Sequence, residues 1–433
     1  MGTNHCEEYD MYIFQDEKGC YMELRCRELE ELLWDYGQNA KEKLTFVEKN
    51  EIHVEIPENL PDTIHQDFMW QEYGSRCIGC GRCNFVCPEY ISYVACLQKL
   101  ESEAKAMRKI KWGVMGTAFI CERSTFPGML QAENCEMYAI AGRNMEKAER
   151  FKEIYGFQKA YGSYEELLAD PKVEAVYIPL PNTMHYEWTI RALKSGKHVL
   201  CEKPLAPTEA QAEEMFKAAE ENHVYLMEAF AYQHSPYIAA VRKEIENGTI
   251  GDVRYMESAY ITSDYDPKNI RMRRDTLGGC TYDLGVYNTS LILRILGDEP
   301  AKVRAIASFS EEKIDTLTSA IFEYADGKKA AFSCGMTLAT DLDRHIDRFE
   351  IQGTKGSIKG TGFEFNGDGE LSYTITFFDG REEMKTISVP QNYRLEVEQM
   401  GRCVEGKETP AVTRGFSLAN ARMIDVILEE IGY

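Results

Sequence analysis

The chemistry of this chain is concentrated in a few short runs. Cys77-Ile-Gly-Cys80-Gly-Arg-Cys83-Asn-Phe-Val-Cys87-Pro88 has the spacing C-x2-C-x2-C-x3-C-P, at which soft thiolates wrap a [4Fe–4S] cluster. Gly113-Val-Met-Gly116-Thr117-Ala118-Phe119-Ile120-Cys121 follows an apolar run. At such a strand-to-helix turn, backbone N–H groups of a helix N-terminus can meet the pyrophosphate of a dinucleotide. Only Gly116 keeps the G-x-G-x-x-G/A pattern strictly, with Ala118 and Cys121 in the other small positions, so alone the match reads as an ordinary turn. A second apolar run ends in Gly142-Arg143-Asn144. An NAD site would place Asp or Glu there for the ribose hydroxyls, whereas an arginine can pair with a 2′-phosphate, so NADP is expected over NAD. Pro179-Leu-Pro181-Asn182-Thr-Met-His185 and Cys201-Glu202-Lys203-Pro204 close two further apolar runs. Asp283 and Tyr287 are four residues apart, which puts both on one face of a helix.

These residues need elements to hold them. Lys109–Met115, Glu136–Ala141, Glu174–Leu180, His198–Glu202 and Val224–Glu228 read as short apolar strands, with helical stretches such as EKAERFKEIYG, TMHYEWTIRALKSG and PTEAQAEEMFKAAEEN between them. This alternation predicts an α/β fold with a Rossmann-type, doubly wound parallel sheet over 108–228, in which ligands bind at the C-terminal strand ends. After residue 229 the runs lengthen and alternate, as in TLTSAIFEYADGKKAAFSCGMTL and HIDRFEIQGTKGSIKGTG. They predict a second, α+β domain over 229–433 built on an open mixed or antiparallel sheet, with SLANARMIDVILEEI as an amphipathic helix. Residues 1–107 form a separate acidic, cysteine-rich, ferredoxin-like segment. Within it, 40–70 reads as irregular connection because of Pro57 and Pro61, and 92–107 as a helical linker.

In order, GVMGTAFI, PLPNTMH, CEKPLAPT, MEAFAYQHSP and GGCTYDLGVYN resemble the glucose–fructose oxidoreductase/inositol dehydrogenase family over about 325 residues, 108–433, and most of all its NADP-linked dihydrodiol and D-xylose dehydrogenase branch. The resemblance implies an NAD(P)-dependent dehydrogenase that moves a hydride between nicotinamide and a hydroxyl or carbonyl carbon of a sugar or cyclic diol. It implies catalytic roles for Lys203, Asp283 and Tyr287. Lys203 would touch the reacting hydroxyl, Tyr287 would serve as acid or base once a nearby cation lowers its pKa from about 10, and Asp283 would bind substrate hydroxyls. Cofactor contacts are expected at Gly116, Thr117, Ala118, Phe119, Ile120, Arg143, Pro181, Asn182, His185, Glu202 and Lys203, and substrate contacts at Tyr232, Arg271 and Asp283. Gln233 and Ser235 depart from the family's residues.

The surroundings of the cysteine run, IPENLPD and SRCIGCGRCNFVCP, resemble the iron–sulfur part of the anaerobic sulfite reductase A subunit over roughly residues 50–90. In two-cluster ferredoxins the fourth cysteine of each run serves the other cluster, and no second run exists here. Two readings stay open. Either Cys77, Cys80 and Cys83 hold a cluster with Cys87 or a remote thiol such as Cys96 or Cys20 as fourth ligand, or the module is truncated and holds none.

Of the 14 cysteines, eight precede residue 108, as do 21 of the acidic and 10 of the basic side chains, a net of −11 out of −22 for all 433 residues. Such negative charge opposes nucleic acid and anionic membrane. No apolar run is long enough to span a membrane and the N-terminus, MGTNHCEEYD, has no apolar signal core, so a cytoplasmic protein with reduced thiols is expected. The expected partners are a small-molecule substrate, further copies of the chain, and a redox partner for the front segment. Rival functions are an electron-transfer protein and a non-catalytic dinucleotide sensor.

Overall fold

The computed structural model describes residues 108–263, 266–297, 299–338, 345–361 and 368–433, together with five strands nearer the N-terminus. The chain divides into two compact units, Met1–Arg108 and Lys109–Tyr433. In the first unit, β1 (Thr3–Cys6), β2 (Met11–Asp16), β3 (Gly19–Leu24), β4 (Leu44–Val47) and β5 (Glu51–Glu55) pair antiparallel in the order β1-β2-β3-β5-β4. The β4–β5 hairpin corrects the expectation of irregular chain from 40 on. The period-two alternation of Leu44, Phe46, Ile52 and Val54 decides there, with the two prolines falling beyond it. Cys77, Cys80, Cys83 and Cys87, and the linker over 92–107, lie outside the described residues.

In the second unit, β6 (Ile110–Met115), β7 (Cys135–Ala141), β8 (Lys159–Tyr161), β9 (Ala175–Ile178), β10 (His198–Glu202) and β11 (Leu226–Ala229) make a parallel sheet ordered β11-β10-β9-β6-β7-β8. The order reverses between β6 and β9. A crevice therefore opens beyond their C-terminal ends, where neither following helix covers the edge. The helices obey local signals. α1 (Phe126–Gln131) carries Pro127 in its first turn. α2 (Met145–Tyr155) is capped by Asn144, which accepts from Lys147 N at 2.9 Å, and stops at Gly156 with φ +77°. α3 (Tyr164–Ala169) and α5 (Glu209–Glu221) are capped by Ser163 and Thr208, and α4 (Asn182–Lys194) starts behind Pro181.

After β11 come α6 (Pro236–Glu246), β12 (Val253–Ser263) and α7 (Val286–Leu296). β13 (Lys302–Phe309), β14 (Asp315–Glu323), β15 (Lys329–Leu338), β16 (Ile346–Gly353), β17 (Gly356–Gly360), β18 (Gly369–Phe377) and β19 (Glu382–Val389) follow, then α8 (Asn392–Val404) and α9 (Arg414–Ile431). The eight strands order as β13-β14-β15-β12-β16-β17-β18-β19, antiparallel except for β12 with β15. One face of this sheet buries Phe322, Phe332, Met256 and Ile351 under α6, α7 and α9, while the other exposes Ile306 and Ile321. The two sheets are not packed as separate bodies. One apolar cluster runs from Trp112 and Phe126 through Val397 and Met400 of α8 to Phe349 and Ile427. α8 packs on α1, where a Cβ on Gly128 would lie 2.7 Å from Arg394 N. Among the described residues no helix is long and apolar enough to cross a membrane.

Candidate active site

The six parallel strands β6 to β11 all end at the same sheet edge, and the loops after β6, β7, β9 and β10 carry the candidate residues. Gly116 follows β6. Its φ is +125°, a conformation strained for an L side chain, and an added Cβ would stand 3.2 Å from Leu180 Cδ2. Its N–H donates to Ala141 O at 2.8 Å, which ties the turn to β7. The chain turns helical at Phe119, passes through a π-helical turn at Cys121–Thr125 and continues as α1. Phe119 is 73% exposed at this helix start, with Thr117, Ala118 and Ile120 partly open beside it. The depleted glycine pattern thus still produces a backbone cradle at a helix N-terminus, the arrangement a pyrophosphate requires.

Arg143 is exposed on the loop after β7, where its guanidinium meets the Tyr164 hydroxyl. That hydroxyl is 3.9 Å from where a Gly116 Cβ would be, so the arginine stands beside the glycine turn. Lys147 is also there, donating to Thr117 O at 2.7 Å. The loop therefore presents cations and no carboxylate in its first three residues.

The loops after β9 and β10 are locked together by His185. It is fully buried, with Nδ1 2.7 Å from Pro204 O and Nε2 2.7 Å from Leu180 O. Burial pushes its pKa down, against the opposing pull of the two carbonyls. His185, an expected cofactor contact, thus lies buried between the loops after β9 and β10. Pro181 opens α4, and Asn182 Nδ2 donates to Leu277 O at 2.9 Å, joining this loop to the second half of the unit. Glu202 accepts from Tyr177 Oη at 2.5 Å, and Tyr177 Oη lies 2.9 Å from Thr125 Oγ1 on the π-helical turn. Burial raises the Glu202 pKa, against the opposing pull of Tyr177, Lys203 and Arg271.

Lys203, at the end of β10, reaches 80 residues along the chain to Asp283. Its Nζ donates to Asp283 O at 2.7 Å and Oδ1 at 3.0 Å, while Arg271 Nε donates to Oδ2 at 2.8 Å. Burial opposes ionisation of Asp283, but Arg271 and Lys203 outweigh it and hold its pKa down to about 2. A depressed carboxylate pKa means the contact is present above the ordinary value of 3.8 and is lost only as pH falls towards 2. Asp283 lies in a second π-helical turn, Thr281–Gly285, that runs into α7, and Tyr287 follows in the first turn of α7. Lys203 Nζ is 4.7 Å from the centre of the Tyr287 ring. π-Helical turns concentrate at functional sites, and here one sits on each side of the crevice.

Tyr287 is boxed by Phe230, Tyr232 and Tyr260 at ring-centre distances of 5.8, 5.8 and 5.6 Å. Lys203 by itself does not lower the Tyr287 pKa. Burial first, then Tyr393, Glu202, Asp283 and Glu396, push it well above the ordinary value of 10. Lys203 does not reverse this because Asp283 already neutralises it. The phenol is a proton donor at neutral pH. Tyr232, an expected substrate contact, is 2% exposed, with its hydroxyl 2.6 Å from Ser290 Oγ of α7 and its ring against that of Tyr287.

Glu396 on α8 escaped the sequence reading. It is fully buried, neither carboxylate oxygen has a hydrogen-bond partner, and His234 Nε2 lies 4.0 Å from Oε1. Burial and then Glu202 push its pKa well above 4.5. Burial, Arg294 and Arg402 pull that of His234 down to about 3, so both are neutral. The signal was a carboxylate inside the apolar stripe of Tyr393, Val397 and Met400. A raised acid pKa favours folding below the ordinary value, and that contribution is lost as pH rises. Glu396→Gln is therefore expected to stabilise the protein by up to about 1.4 kcal/mol for each pH unit above it. Thermal denaturation should show a larger gain at about pH 8 than at about pH 5, and an equal gain at both would refute the assignment. Among the described residues no group of three or more His, Cys, Asp or Glu could hold a metal ion.

The oxidoreductase family with an NAD-binding Rossmann fold, Gfo/Idh/MocA, matches residues 110–230, and the Gfo/Idh/MocA C-terminal domain matches 238–359. A D-xylose 1-dehydrogenase (NADP(+)) from Haloferax volcanii is 35% identical over 322 residues, 73% of this chain and 96% of the relative. The chain belongs to the Gfo/Idh/MocA oxidoreductase family. A trans-1,2-dihydrobenzene-1,2-diol dehydrogenase from Xenopus laevis is 31% identical to this family member over 340 residues, 74% of this chain and 98% of the relative. Among solved structures, a 3-ketoreductase from Actinomadura kijaniata in complex with NADP and TDP-benzene superposes with a TM-score of 0.70 at 28% identity, covering 75% of this chain and 98% of its own. Both family models thus fall within the second unit.

Proposed function

We propose that the chain exchanges a hydride between NADP and a CH–OH or C=O carbon of a sugar or cyclic diol. The observation that carries this reading is the convergence of Lys203, Asp283 and Tyr287 from two halves of the unit onto the sheet edge beside the Gly116 cradle. The similar xylose, dihydrodiol and ketoreductase enzymes support it. Gly116, Thr117, Ala118, Phe119 and Ile120 would hold the pyrophosphate and Arg143 the 2′-phosphate, with Pro181, Asn182 and Glu202 at the nicotinamide end. The bound dinucleotide supplies the hydride acceptor or donor.

The residues of the chain handle the proton and the orientation. An ammonium has three N–H donors, and Lys203 commits two to Asp283. The third is available to polarise the substrate oxygen. Tyr287 Oη, protonated at neutral pH, would give its proton to that oxygen as a carbonyl is reduced, leaving a phenolate; in the opposite direction that phenolate form would take the proton of the alcohol. Asp283, ionised between Arg271 and Lys203, accepts from a neighbouring substrate hydroxyl and fixes the ammonium. A dehydrogenase assay with both cofactors over a sugar, polyol and cyclic diol panel, followed by reduced nicotinamide, tests this. Cofactor binding without turnover on any member would favour the sensor instead.

For the front segment, ligation by Cys77, Cys80, Cys83 and Cys87 is the reading put to test. Anaerobically purified protein should then contain about four irons and four sulfides per chain. Iron-free, colourless protein after anaerobic reconstitution leaves the truncated module.

A further inference from the structure

We propose that Asp315 is a positioning residue for the reaction, acting from β14 as the cap of the helix that carries Asp283 and Tyr287. The inference rests on the proposed function and concerns a residue with no part in the family motif. The helix begins behind Gly278-Gly279, so the position that ordinarily supplies a capping side chain has none. Asp315, 34 residues further along, fills the role. Its Oδ2 accepts from Thr281 N at 2.7 Å, Thr318 Oγ1 at 2.9 Å and Cys280 Sγ at 3.0 Å. All four residues are fully buried.

The same contact explains why glycine is required. Gly279 has φ +110°, and a Cβ there would fall 2.1 Å from Asp315 Oδ1. Both the conformation and the space for the carboxylate exclude a side chain. A carboxylate at a helix N-terminus is also favoured by the helix dipole.

From this cap two connections lead to the site. Asp283 N donates to Gly279 O at 3.1 Å, within the turn that begins the helix, and Tyr287 lies one turn further. In the other direction Gly279 N donates to Arg271 O at 2.8 Å, which fixes the loop from which Arg271 reaches Asp283. One carboxylate thereby sets both ends of the Arg271–Asp283–Lys203 contact without touching substrate or cofactor.

The test compares Asp315→Ala with Asp315→Asn, which keeps an oxygen for Thr281 N, in the full chain. Amide exchange by mass spectrometry is expected to accelerate over 280–287 in the alanine variant, with 182–221 unchanged, and to return close to wild type in the asparagine variant. On the best substrate, kcat should fall by about 10²-fold for alanine, the cost of a misplacement on the order of 1 Å. It should recover to within about fivefold for asparagine, with the NADP dissociation constant held. Unchanged exchange over 280–287, exchange raised evenly across 109–433, unaltered kcat despite local exchange, or an asparagine variant as slow as alanine would each overturn the proposal. Should the alanine variant not fold, the asparagine variant decides alone by kcat and exchange. An inactive wild type would refute the proposed function, and the exchange comparison would still decide the cap.

Discussion

Tyr287→Phe and Lys203→Met are each expected to lower turnover by about 10²–10⁴-fold, the usual cost of losing a proton-transfer group, while the cofactor dissociation constant changes little. Removing a hydride from a carbinol carbon leaves a proton on oxygen, and returning one demands a donor in place. Tyr287 Oη is the neutral donor of the site, since burial and the surrounding negative groups keep it protonated. Phenylalanine retains the ring inside the Phe230, Tyr232 and Tyr260 box and deletes only the hydroxyl. Methionine approximates the length of lysine but leaves Asp283 with Arg271 as its remaining cation. Hence Lys203→Met should raise KM as well as lower kcat, and Tyr287→Phe should act on kcat. Steady-state kinetics with cofactor titration by fluorescence separates the two. Near-normal turnover in both variants would remove the pair from the mechanism.

The second large effect is on cofactor choice. Arg143→Ala is expected to weaken NADP by about 10–100-fold, equivalent to the roughly 1.5–3 kcal/mol of a hydrogen bond to a charged group, and NAD by less than about threefold. Arg143 lies exposed beside the glycine turn and the Tyr164 hydroxyl, with Lys147 also on the loop. No carboxylate in Gly142-Arg143-Asn144 is available to ribose hydroxyls. Calorimetric titration of both cofactors decides the matter: equal weakening, or a preference for NAD in the unaltered protein, would contradict it.

What could be read in advance followed the strength of local signals. β10 was legible to the residue because HVLCE is a closed apolar run before Lys-Pro, and α2, α4 and α5 because each has apolar periodicity and a cap or proline. β8 and α3 were not read: three residues at a sheet edge and a six-residue helix carry too little pattern. Lys203, Asp283 and Tyr287 were visible through ordered motifs. Their environment was not, because Tyr287 owes its raised pKa to Tyr393, Glu202 and Glu396, and two of these arrive on α8 more than a hundred residues later. Tyr232 and His185 were visible as residues but their protein contacts were not, since only packing turns a hydroxyl into α7 or an imidazole between two carbonyls. Asp315 had no signal at all, being one aspartate opening a strand.

The close seat of α8 on α1 limits how this protein could be taken apart. Gly128 leaves no room for a Cβ against Arg394, Gln391 Nε2 donates to Ser124 O at 2.9 Å, and Asn134 Nδ2 donates to Glu398 O at 2.8 Å. The floor under the glycine turn is therefore built partly by chain more than 250 residues further along. A fragment ending at β11 would expose the apolar flank of α1 and is not an independent cofactor-binding module. A chimera that exchanges the dinucleotide half for that of a relative must transplant the 391–404 segment with it, or restore a complementary surface on the helix after the first strand. Recombination within such proteins is thus constrained to break points on both sides of α8, not at the single visible boundary between the two sheets.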